Sequence, residues 1–149
     1  MFKSFKEGLR MGWIKVDLEE LIKAYGYHLI YYPNVEANRL AEIYPNVQEA
    51  IEKIKSEELY GATIPSIKLV IIIKSLNPTE MVFYLVHEYA HILTEPHELN
   101  TPKLGHTTAF FEAEQWICDH LNIPVMEREE DYDENGIPKE RKSERNEGT

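Results

Sequence analysis

His87-Glu88-Tyr89-Ala90-His91 is the part of this chain whose residue types and spacing can do chemistry. On an α-helix, residues four apart lie on one face, about 40° apart around the axis and about 6 Å along it. Imidazole nitrogens at 87 and 91 can therefore meet at one tetrahedral metal, and zinc is the ion such ligands suit. Glu88 stands a further ~100° round the helix. From there a carboxylate can take a proton from a water on the metal, which is the chemistry of metal-assisted hydrolysis.

Winding Thr79 to Thr94 on a helical wheel groups Met81, Val82, Leu85, Val86, Tyr89, Ile92 and Leu93 on one broad apolar face. His87 and His91 fall on the opposite side, with Glu80, Tyr84 and Glu88 nearest them. A histidine kept only for core packing would sit inside the apolar stripe; these two do not. Tyr84, one turn before His87, is placed either to stabilise an oxyanion or simply to pack.

A zinc site with an open position needs a third protein ligand. Gly105-His106-Thr107-Thr108-Ala109-Phe110 follows the second histidine after a loop. A helix predicted from about Thr107 to Leu121 carries Phe110, Ala113, Ile117 and Leu121 on its apolar stripe. Projected back one turn, His106 lines up with that stripe and points toward the body of the protein. Glu114 lies about 60° from the centre of the stripe and can also turn inward. It is the alternative ligand, or a partner that supports the ligands. His106 and Glu114 stand about 12 Å apart along the helix, so one ion does not take both. Glu112 points about 120° away from His106 and is the poorest candidate; His97, in the loop, is an outsider.

The two pieces together resemble the SprT-like and related small zincin metallopeptidases, with H-E-x-x-H at 87–91 and G-H-x-x-x-F at 105–110 opening a second helix. In that family the histidine of a G-H-G-x-x-F/W segment completes the zinc site, which here implies His106. The chain departs from the pattern at Thr107, where Gly is usual, and at Phe110-Phe111, where Phe-Trp is typical. Glu80 to Leu93, with the strand-like run before it, also resembles the IrrE/ImmA metallopeptidases, whose downstream ligand differs. The likeness covers about Ile67 to Leu121.

It implies a zinc-dependent hydrolase that cuts peptide bonds, with protein or peptide as its partner and Glu88 as catalytic base. One alternative is a zincin-fold module that binds and regulates without cleaving. Another is an IrrE/ImmA-like peptidase that cleaves a repressor. A complete H-E-x-x-H, Glu included, favours an enzyme, because a purely structural zinc site has no need of a base.

Several elements must position these residues. Leu18 to Tyr25 is predicted as a helix capped by Asp17 and ended by Gly26, and Tyr27 to Tyr32 as a strand. Val35 to Ile43 reads as weakly helical and Asn46 to Leu59 as a stronger helix stopping at Gly61. Ile67 to Lys74 is the best strand. Its continuous apolar run suggests cover on both faces, while a place at the cleft rim would let it bind an extended substrate edge to edge. Asn77 and Pro78 form the start of the metal helix. The expected fold is α+β: a minimal zincin-like domain over residues 1–126, with a small twisted sheet, the metal helix and a second ligand-bearing helix.

Composition bounds the rest. The 149 residues allow one modest core. A net charge of −10 argues against a binder of nucleic-acid backbones. The longest apolar run, Leu69 to Ile73, is too short for a membrane span. The lone Cys118 suggests a buried thiol in a reducing cytoplasm, and no secretory signal is visible. Residues 127–149 hold nine acids and five bases, with Tyr132 and Ile137 as the only larger apolar groups. That composition predicts a disordered tail.

Overall fold

A computed structural model of the chain describes residues 5–74, 77–95 and 107–125. They are α+β, with five α-helices, one short 3-10 turn and a three-stranded mixed sheet. The chain divides into two compact units between Ile92 and Leu93. The expected boundary at 126/127 and the tail lie outside the described residues.

The first unit opens with α1 (Phe5–Ala24), followed by β1 (His28–Tyr32), α2 (Val35–Ile43) and α3 (Pro45–Lys55). Then come β2 (Gly61–Ile64), a 3-10 turn (Pro65–Ile67), β3 (Leu69–Ile73) and α4 (Pro78–Leu93). The strand order is β1-β3-β2, with β1 parallel and β2 antiparallel to the central β3. β3 is thus paired on both sides, and its Leu69, Val70, Ile71 and Ile72 are buried. This corrects the idea that Ile67 to Lys74 receives a substrate at its own edge. Among the described residues the outer strands are β1 and β2, and β2 is the one the sequence reading missed.

Side chains alternate along the strands, so each face of the sheet has its own partners. Ile30, Ile71, Ala62, Leu69 and Ile64 share one core with Ala37 of α2 and with Val47, Ala50, Ile51 and Ile54 of α3. The registers Leu29↔Val70↔Thr63 and Tyr31↔Ile72↔Gly61 therefore belong to the other face. There Tyr31 meets Glu19 of α1, while Thr63 meets Glu88 of α4. Tyr25, just past α1, packs its ring edge-on to Tyr89 of α4, with centroids 5.7 Å apart.

Two helices differ from expectation for clear reasons. Asp17 does not cap α1; it lies inside a single helix that begins at Phe5. Met11, Ile14, Leu18 and Ile22 are all buried, and this i, i+3, i+7, i+11 stripe carries the helix straight through Asp17. α3 ends at Lys55 instead of Leu59, because Glu57 takes a left-handed conformation (φ 64°) that breaks the helix. The start of α4 follows its sequence signals. Asn77 Oδ1 accepts hydrogen bonds from the backbone N–H groups of Thr79 (3.0 Å) and Glu80 (3.3 Å), and Pro78 is the first helical residue.

In the second unit, α5 (Thr108–Leu121) is capped by Thr107, whose Oγ1 accepts from the Phe110 N–H at 3.0 Å. Asn122, left-handed at φ 55°, ends it. No described helix is long and apolar enough to cross a membrane.

Candidate metal centre

The H-E-x-x-H residues lie in the last two turns of α4. Met81, Val82, Leu85, Val86, Tyr89 and Ile92 are buried as the wheel requires, and Leu93 is half-buried. On the opposite side His87 and His91 are half-buried, their rings edge-to-face with centroids 4.8 Å apart. Their Nε2 atoms converge to 3.2 Å. Two nitrogens bound at about 2.0–2.1 Å to one tetrahedral zinc stand about 3.3–3.4 Å apart, so this pair has the bite of a zinc chelate. The same distance suits an N–H···N hydrogen bond between the rings when one carries its proton on Nε2. Metal content separates the two.

Glu88 is 4 % exposed although it faces away from the apolar stripe. The wheel cannot anticipate this, because Thr63 and Gly61, brought against the carboxylate from β2, lie 25 and 27 residues away along the chain. Thr63 donates its hydroxyl to Glu88 Oε1 at 2.8 Å. A Cβ placed on Gly61 would stand 3.1 Å from Glu88 Oε2 and 3.0 Å from the Ile71 carbonyl oxygen. A carboxylate withdrawn from water needs such donors, since an unsatisfied charge there is costly. Thr63 and Gly61 escaped the sequence reading. Their signal is the two-residue period of Gly61-Ala62-Thr63-Ile64, which sets Gly and Thr on one face and Ala and Ile on the other.

Tyr84 is half-buried and stacks on Tyr60, with centroids 5.1 Å apart and planes 12° from parallel. Its hydroxyl donates to Glu80 Oε2 at 3.3 Å. These contacts pack Tyr84 against Tyr60, the residue just before β2.

His106 and His97 lie outside the described residues. Glu114 is 3 % exposed, on the buried face of α5 with Phe110, Ile117 and Cys118, while Glu112 is exposed. Among the described residues, no group of three or more His, Cys, Asp or Glu side chains is placed to hold a metal. The described centre is therefore the two imidazoles of one helix and the carboxylate between them. No protein-family model, curated protein or solved structure matches the chain.

Proposed function

We propose that this chain is a zinc metallopeptidase of minimal zincin-like fold, which hydrolyses peptide bonds in a protein or peptide substrate. The observation that carries this reading is the convergence of His87 and His91 Nε2 to 3.2 Å beside a buried, hydrogen-bonded Glu88. The donor set fits zinc: two imidazoles at chelating distance, with an adjacent carboxylate that accepts from Thr63. His106 is the third ligand, on the strength of nitrogen chemistry and the G-H-x-x-x-F likeness, with Glu114 as the alternative.

Zinc held there supplies Lewis acidity and an ionisable water. Glu88 accepts the proton of the attacking water and returns it to the departing amine. Buried under β2, its carboxylate acts in a setting of low dielectric, where a fixed charge has more effect than in bulk water. An extended substrate has an edge available at β2, the outer strand of the sheet beside Glu88. The net charge of −10 supports a substrate other than nucleic acid. The single, buried Cys118 supports a reducing cytoplasmic setting.

The test compares wild type with Glu88→Gln for zinc content and for cleavage of an unfolded protein. The amide fills the space but cannot accept the proton, so the variant should keep its zinc and lose turnover. A Glu88→Gln protein that cleaves within about tenfold of wild type rules Glu88 out as the base. Wild-type protein that binds no zinc removes the reading altogether.

A further inference from the structure

The base of a hydrolase must be held within a fraction of an ångström of its working position. The Glu88 side chain has three rotatable bonds, and two contacts from β2 bear on where its carboxylate lies. Thr63 Oγ1 donates to Oε1 at 2.8 Å, which restrains rotation of the carboxylate plane. Gly61, two residues earlier on the same face, lies against Oε2, where any Cβ would stand at 3.1 Å. Such a Cβ would also meet the Ile71 carbonyl oxygen at 3.0 Å and Ile72 Cγ1 at 3.3 Å, so neither neighbouring backbone nor packed core gives way easily. The demand at 61 is for space, since no left-handed φ is involved. β2 is itself fixed by its ladder to β3, with Thr63 opposite Val70 and Gly61 opposite Ile72.

We propose that Thr63 and Gly61 are positioning residues, which aim the Glu88 carboxylate from β2 by a hydroxyl donor on one oxygen and a missing side chain at the other. This rests on the reading of Glu88 as the base. The strand that offers an edge to an extended substrate is then also the strand that orients the proton acceptor. A shift of β2 moves both together.

The two claims separate experimentally. The contact is tested without activity, by thermal unfolding of metal-free Thr63→Val, Glu88→Ala and the double variant. Thr63→Val alone should lower the melting temperature, because the buried carboxylate loses the Thr63 hydroxyl. In the Glu88→Ala background the same change should cost little. Additive effects overturn the contact.

The role is tested with zinc-loaded protein and unfolded casein, following new amino termini. Thr63→Val should lower kcat by about ten- to a hundredfold with KM little changed, as expected when a reacting group is displaced by about 1 Å. Thr63→Ser, which keeps the hydroxyl, should restore most of kcat. Gly61→Ala should lower kcat in the same way. Thr63→Val protein that is folded and turns over at the wild-type kcat overturns the proposal, as does a Ser variant no better than Val. Wild-type protein that cleaves nothing while holding zinc defeats the peptidase reading, and the role of Thr63 in turnover falls with it even if the unfolding cycle is coupled.

Discussion

A carboxylate drawn away from water requires donors, and Glu88 and Glu19 are supplied in different ways. Glu88 accepts from the neutral Thr63 hydroxyl. Glu19 receives the Tyr31 hydroxyl and the Lys15 ammonium, the latter at 2.9 Å. Burial would raise the Glu19 pKa, but the hydrogen bonds from Tyr31 and Lys15 and the charges of Lys15 and Lys23 outweigh it, so the pKa lies below its ordinary 4.5. Burial, then the bond to Glu19, pushes Tyr31 well above its usual range.

The sign follows from linkage. A group whose folded pKa is depressed contributes stability that is present above the ordinary value and lost as pH falls through the folded one. Tyr31→Phe should therefore lower stability by about 1 kcal/mol at pH 7, a modest figure for a partly solvated pair. The difference from wild type should shrink in denaturant titrations carried below the ordinary Glu19 pKa. A loss that is constant across that range would show the pair to be uncoupled.

The proposed third ligand is tested at the same scale. Zinc stoichiometry of His106→Ala and Glu114→Ala should fall for the first and hold for the second. The reverse result makes the site one of two His and one Glu, and gives the buried carboxyl of Glu114 its explanation.

At the scale of elements, caps and stripes account for most of what forms. Asn77 satisfies two N–H groups at the start of α4, so Asn77→Ala should cost about 1 kcal/mol. Gly12 sits inside α1 with open space for 4 Å around the point a methyl group would occupy. Gly12→Ala should instead add about 0.5–1 kcal/mol by helix propensity alone. For a protein of this size each is a shift of a few degrees in Tm, in opposite directions, measurable by circular dichroism. A fall in Tm for Gly12→Ala would mean that this face of α1 is covered in solution. α1 and β2 were hard to read for opposite reasons. α1 contains glycines and an apparent cap at Asp17 that disguise one continuous buried stripe. β2 is four residues long and opens with Gly and Ala, which have little strand propensity of their own. Its place is fixed by pairing with the strongly apolar β3.

At the scale of the whole molecule, a metal held only by the folded chain must stabilise it. If zinc binds as proposed, a thousandfold excess over its Kd should add about 4 kcal/mol by mass action, or a rise of roughly ten degrees in Tm at this chain length. Chelation should abolish that rise in wild type, and His87→Ala should show none of it. A melting temperature indifferent to both zinc and chelator would mean that His87 and His91 share a hydrogen bond instead of an ion.

The one-dimensional chain determined whatever depends on local spacing. His87 and His91 come together because four residues make about one helical turn. The cap at Asn77, the apolar face of α4, the central strand Leu69–Ile73 and the buried Cys118 follow in the same way from neighbours along the sequence. Only the tertiary structure could decide what covers the polar side of α4. Thr63 and Glu88 are 25 residues apart, and their bond exists because β2, paired antiparallel with β3, brings Thr63 to the side chain of Glu88 on α4. The burial of Glu88, the space required at Gly61 and the loss of the free edge from β3 all derive from that one pairing. No periodicity within a segment encodes it, because a helical wheel describes which way a side chain points but not what lies there.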